Sequence, residues 1–189
     1  MEKIEIDVKN ISYPMPCSLL GTKVGGKVNF LTVAFFSMVN YEPPYIMAAL
    51  GKNHFSNAGI RETGAFSINI PSGSMADVTD YCGIVSGKDT DKSAVFEVFY
   101  GKQGNAPMIV ECPYNLECRL VQIVDLPADE IFIGEIIAAY SDDRYLTGGV
   151  PDMMKIDPFI LSMPQMTYQR LGASVGRAWE IGKSRAGKK

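Results

Sequence analysis

One histidine, His54, and a run that joins it to a lysine and a serine are the main residues from which chemistry could be built in this 189-residue chain. Lys52-Asn-His-Phe-Ser56-Asn57 ends where a helical pattern begins, so the sequence predicts Ser56 as an N-cap with Lys52 and His54 just ahead of it. A helix N-terminus beside a hydroxyl and a cation suits an anion, and a phosphate monoester is one that fits. The plainer reading is that Ser56 caps its own helix and the charges face water. Asn29, Thr32 and Ser37 lie along an apolar run that also carries Val33, Ala34, Phe35 and Phe36. Polar groups in such a run must find partners. A flat heteroaromatic ring is one partner, paired with strand N–H and C=O groups and covered by aromatic side chains; ordinary sheet is the other.

Several chemistries are excluded by what is missing. Cys17, Cys82, Cys112 and Cys118 form no Cys-x-x-Cys pair, and a lone His54 cannot supply the second imidazole that most zinc or non-haem iron sites use. The four thiols read as small buried apolar residues in a reducing compartment, with a redox-active thiol as the alternative. A hydrolytic triad would have to use His54, and no Gly-x-Ser-x-Gly elbow surrounds any serine. Gly21-Thr-Lys-Val-Gly-Gly26-Lys27 spells part of a P-loop, but Val28 stands where Mg²⁺ needs a hydroxyl, so the segment reads as a hairpin. No Gly-x-Gly-x-x-Gly follows a strand, which excludes a Rossmann nucleotide site.

The balance of 18 basic and 21 acidic residues gives a net charge of −3 with no basic stripe in the body of the chain, so nucleic acid is not an expected partner. The longest apolar stretch, Ile131 to Tyr140, contains Glu135 and falls short of the ~20 residues that span a bilayer. The start, Met1-Glu2-Lys3-Ile4-Glu5, lacks the basic flank and apolar run of a secretory signal. The expectation is a cytoplasmic protein with no membrane partner.

The elements that must carry these residues are mostly strands. Ile4, Ile6 and Val8 alternate with charged residues, predicting an opening strand with one wet face. Gly25-Gly26 predicts a hairpin turn into a long strand from Val28 to Val39, broken by Tyr41-Glu-Pro-Pro44 before a strand at Tyr45 to Leu50. A short helix is predicted between Asn53 and Gly64, followed by strand Ala65 to Ile70 and a second short helix over Ser74 to Tyr81. Ser86 to Lys92 is rich in turn formers; strands follow at Leu116 to Val124, Ile131 to Tyr140 and Phe159 to Met163. Six or more strands with short peripheral helices give a mainly β barrel class. The predicted organisation is one domain over residues 1–175 and a basic extension over 176–189, frayed from Gly182 to Lys189.

In order along the chain, Tyr13-Pro-Met-Pro16, Asn29 to Ser37, Glu42-Pro-Pro44, Lys52 to Ser56, Ile60 to Asn69, Lys88-Asp-Thr-Asp-Lys92, Ile131-Phe-Ile-Gly-Glu135 and Tyr168-Gln-Arg-Leu-Gly172 resemble the flavin reductase-like family, especially its flavoredoxin members. The resemblance implies an FMN-binding split β-barrel of Greek-key type, assembled as a homodimer with flavin near the interface. It further implies NADPH or NADH as transient donor, or exchange with an electron-transfer protein partner. It assigns Asn29 and Thr32 to Ser37 to the strand along the isoalloxazine, Lys52 and Ser56 to the phosphate turn with His54 beside them, and Lys92 to a segment closing over the cofactor, where a cation would tune the ring. Catalysis would be carried by the flavin, with no acid/base pair required and no metal. Two positions depart from the family pattern: Asp129 where several flavoredoxin-like members carry His, and Phe35 for a frequent Trp. Ten methionines and many aromatics also fit a chain with apolar surface for a partner.

Overall fold

The computed structural model describes residues 1–11 and 13–186. In chain order the strands and helices are β1 (Met15–Pro16), β2 (Ser18–Val24), β3 (Lys27–Val33), β4 (Phe36–Asn40), β5 (Tyr45–Gly51), α1 (Phe55–Thr63), β6 (Ala65–Ile70), α2 (Ala76–Ile84), β7 (Val98–Tyr100) and β8 (Pro107–Ile109). Then come β9 (Tyr114–Asp125), β10 (Asp129–Ser141), β11 (Leu146–Thr147), β12 (Val150–Pro151), α3 (Met153–Ile156), β13 (Phe159–Ser162), β14 (Thr167–Arg170) and α4 (Lys183–Ala186). Seven strands form one antiparallel sheet in the order β3-β2-β6-β9-β10-β5-β4. Its two edges, β3 and β4, follow each other in sequence, so the sheet curls round on itself and is split between them. This is the split barrel of the predicted class.

The barrel closes over one apolar core. Leu20, Leu31, Ile46, Ala48, Phe66, Leu116 and Phe132 come from six different strands and are all buried, with Ile60 of α1 plugging one end. Burying a side chain of this kind contributes about 1.5–3 kcal/mol, so the core rather than any single hydrogen bond holds the sheet curled. Gly134 permits the curl at one point, because a β-carbon there would press within 2.6 Å of the Phe66 ring. The β2–β3 hairpin turns at Gly25 and Gly26, whose φ values of 56° and 78° lie in the left-handed region that glycine tolerates. The hairpin expected from sequence is therefore present, and a P-loop is not.

Three expectations are corrected. Residues Ile4 to Val8 form no strand and are exposed, Val8 at 90%. Alternation defines two faces but supplies no neighbouring strand, and an extended segment without a ladder partner is not sheet. The run from Val28 to Val39 is two strands, because the chain crosses from one sheet edge to the other at Ala34-Phe35, where the Phe35 carbonyl accepts the Ala49 N–H at 2.8 Å. Finally, α1 begins at Phe55, so His54 occupies the cap position and Ser56 is the second helical residue. The tight turn in which His54 N–H donates to Gly51 O at 3.0 Å starts the helix early. The second helix begins as a 3-10 turn, Gly73–Met75, and runs on to Ile84.

Residues 183–186 of the segment expected to fray form α4, and 187–189 lie outside the described residues. Among the described residues, no helix is long and apolar enough to cross a membrane.

Candidate functional site

Two adjoining cavities run along β3, and His54 and Leu31 line both. The first, about 230 Å³, is bounded by Asn29, Ser56, Gly87 and Lys92, with Ile84 to Ser86 on its far wall. The second, about 270 Å³, is a groove lined by Thr32 to Phe35, the end of β5 at Ala49 to Gly51, Asp129, Leu161 and Met163. This groove lies at the split between β3 and β4, where Ala34 and Phe35 belong to neither strand and the Phe35 carbonyl is held by the Ala49 N–H of β5.

The first cavity is built from buried polar groups. Ser56 is 1% exposed, and its hydroxyl accepts the Asn29 side-chain N–H at 2.8 Å across the gap between α1 and β3. Asn29 itself is buried by the 83–92 segment, which can approach only because position 87 is glycine: a β-carbon there would overlap Asn29 Oδ1. Lys92 is 2% exposed, and its ammonium donates to the carbonyls of Cys82 at 3.0 Å and Val85 at 3.2 Å. None of the ion pairs among the described residues involves Lys92. Burial lowers its pKa from the ordinary lysine value, opposed by the neighbouring Cys82. A buried ammonium with two of its three donors on carbonyls and no carboxylate is an incomplete arrangement, because an interior cation is normally paired. The cavity it lines also takes the start of α1, where the first helical N–H groups lack intrahelical acceptors.

The structure brings Asn29, His54, Ser56 and Lys92 together around this cavity. Thr32, Val33, Ala34 and Phe35 line the groove, where the Thr32 hydroxyl is held by the Thr79 carbonyl of α2. Lys52 is elsewhere: it pairs with Asp125 at 2.6 Å and lines a neighbouring cavity with Arg61 and Glu130. Ser37 is exposed on β4 with its hydroxyl on the Met38 carbonyl, and Phe36 packs against the core. Lys92, expected near a ring, lines the Ser56 cavity instead of the groove. Sequence reasoning did not single out Gly87, Leu161 and Met163 as lining residues. The turn-rich composition of 86–92 was a signal for Gly87, whereas nothing local marks Leu161 in β13 or Met163 just after it.

Cys17, Cys82, Cys112 and Cys118 are free and buried, and burial pushes every one of these thiols up, Cys17 to about 12 and Cys82 to about 11. Such thiols are poor nucleophiles at neutral pH. No group of three or more His, Cys, Asp or Glu among the described residues is arranged to hold a metal ion.

Comparison with known proteins fits this architecture. Residues 11–153 match the model of the flavin reductase like domain, and the chain belongs to that family. Its kinship lies with the flavoredoxins. The flavoredoxin of Methanosarcina acetivorans is 48% identical, with 98% of this chain and 100% of that one covered at a TM-score of 0.96. The flavoredoxin of Desulfovibrio vulgaris (Miyazaki F) is 31% identical, with 96% and 100% covered at a TM-score of 0.89. An NADH-dependent FAD reductase of Streptomyces globisporus is 20% identical over 139 residues, 72% of this chain and 76% of that protein. The chain spans 58% of the length of an Aeropyrum pernix relative, at 24% identity over 78% of its own residues.

Proposed function

We propose that this chain binds FMN and passes reducing equivalents from NADPH or NADH to flavin or another acceptor. The observation that carries the reading is Lys92, a buried ammonium without a carboxylate, facing a cavity that also takes the Ser56 hydroxyl and the start of α1. A phosphate monoester supplies the missing counter-charge and accepts from all three. Family membership and the likeness to two flavoredoxins support flavin as the phosphate-bearing ligand.

The groove fits the rest of such a ligand. Thr32 to Phe35 offer a strand edge, and Phe35, Leu161 and Met163 offer apolar cover. The FMN, when bound, supplies the hydride and electron chemistry. The protein's residues hold and orient it: Ser56, Lys92 and His54 at the phosphate end, and the Thr32 to Phe35 backbone at the ring end. Phe35 keeps 42% of its surface exposed, so the groove stays open on the side from which a donor could approach.

The two flavoredoxin relatives favour a second reading, an FMN electron carrier served by a protein partner. We further propose a homodimer. The residues 1–11 arm and the 171–181 segment expose Ile4, Ile6, Val175 (94%) and Trp179 (92%), apolar surface that a second chain would cover.

The test is the absorbance spectrum from ~350 to 500 nm of protein given FMN, then NADPH or NADH without oxygen. Flavin bands that copurify or reconstitute and then bleach support the reductase. Bands that bleach only with a protein or chemical donor favour the carrier. Failure to retain FMN would falsify both readings.

A further inference from the structure

His54 is the only histidine of the chain, and it stands where the two cavities meet. It has opposite charges on its two sides. The Lys92 ammonium lies on the side of the Ser56 cavity, and Asp129 of β10 lies on the side of the groove. The register of β10 against β5 sets Asp129 opposite Gly51. A β-carbon at position 51 would stand 3.2 Å from His54 Nε2 and 3.8 Å from Asp129 Oδ1, so the ring and the carboxylate flank the same glycine. Gly51 is thus what admits both groups to one spot. Partial burial and Lys92 hold the His54 pKa below the ordinary imidazole value, while Asp129 raises it. The other charged groups around the ring are Lys52, Lys88, Arg61 and Glu130, which line the cavity on its outer side; Lys52 and Arg61 are paired with Asp125 and Glu130.

We propose that Asp129 is a positioning residue for the anion cavity, acting through His54, so that an anion entering beside Lys92 is bound together with a proton on the imidazole. The chemistry is that of a two-sided donor. Neutral imidazole has one N–H and can serve only one neighbour, whereas imidazolium has two and can serve a carboxylate on one side and an anion on the other. Before an anion enters, the unpaired Lys92 charge opposes that proton. The anion offsets this charge, and Asp129 then keeps the cation in place. The inference rests on the proposed anion site but assigns two features that the site alone does not require, proton uptake on binding and a role for Asp129.

A single histidine makes the test direct. The ring ¹H–¹³C signals of His54 are titrated by NMR in the ligand-free protein, with FMN, and with sulfate, whose charge is constant from about pH 5 to 8. The expected result is a midpoint below the ordinary imidazole value in the free protein that rises when either ligand is bound. Sulfate affinity should then strengthen as pH falls, approaching tenfold per pH unit between the two midpoints. Asp129→Asn, which preserves shape, should lower the bound midpoint and flatten the sulfate profile. A bound-state midpoint equal to the free one, or an unchanged midpoint in Asp129→Asn, overturns the pairing while leaving FMN binding intact. Failure of both FMN and sulfate to bind overturns the anion site itself and this inference with it.

Discussion

Replacing Lys92 with methionine separates the phosphate end of the site from the rest. The side chain keeps most of its length and loses its charge, and two consequences follow from the geometry. In the ligand-free protein, the carbonyls of Cys82 and Val85 lose their donor, at 3.0 and 3.2 Å, which costs about 1–3 kcal/mol for groups left without partners. Against this, a buried charge without a carboxylate no longer has to be desolvated, so the net change in stability should be small and Tm should move by no more than a few degrees. In the complex, one of the three ammonium donors remains for a ligand. A hydrogen bond to a charged group contributes about 1.5–3 kcal/mol, equivalent to roughly a 10- to 150-fold rise in Kd. The assay is quenching of flavin fluorescence on titration, run in parallel with FMN and with riboflavin, which has the same ring and no phosphate. Lys92→Met should weaken FMN by that factor and leave riboflavin within about twofold. Equal losses for both ligands would place Lys92 at the ring rather than the phosphate, and no loss for either would remove it from the site. Lys52→Ala provides the contrast. Its side chain is 38% exposed and paired with Asp125, so FMN affinity should change by less than about fivefold.

Gly87→Ala tests the wall of the same cavity, because the added carbon would overlap Asn29 Oδ1 and push the 83–92 segment outward. FMN Kd should rise at least ~10-fold with far-UV circular dichroism unchanged; calorimetric titration giving the wild-type Kd would show that the segment does not shape the site. The thiols set the alkaline limit of stability. In the folded chain they stay protonated above their ordinary value of 9.0, whereas in the unfolded chain they ionise there. The unfolded state therefore binds fewer protons, and stability falls as pH rises beyond about 9, by up to ~1.4 kcal/mol per thiol per pH unit. Lys92, whose pKa is lowered, contributes the opposite slope up to 10.5, but it is one group against four. Thermal melts in reductant should show a lower Tm at pH 10 than at pH 8; an equal or higher Tm would mean that the thiols reach solvent.

Local patterns in the sequence determined most of the elements. Gly25-Gly26 could only turn a hairpin, Gly64 stopped α1 with a φ of 63°, and the period of Ala65 to Ile70 and Ile131 to Tyr140 made strands where strands are found. The family was also legible, because motifs in a fixed order carry information that no single motif does. Pairing was not legible. The arm at Ile4 to Val8 has a strand's pattern without a ladder partner, and Val28 to Val39 reads as one strand although the barrel splits it at Ala34-Phe35. The site shows the same division. Residue types at 52, 54 and 56 pointed to an anion, whereas Asn29 was expected along a ring and Lys92 over it, and the actual roles depended on contacts between elements far apart in sequence. The Asn29 amide reaches Ser56 across 27 residues, Gly87 lets a loop press on Asn29 and Phe55, and Asp125 claims Lys52 across the sheet. Hydrogen bonds and charge pairs act over a few ångströms of space, and chain order fixes that spacing only within a turn or a strand. Tertiary structure therefore decided which lysine faces the cavity and which is already paired.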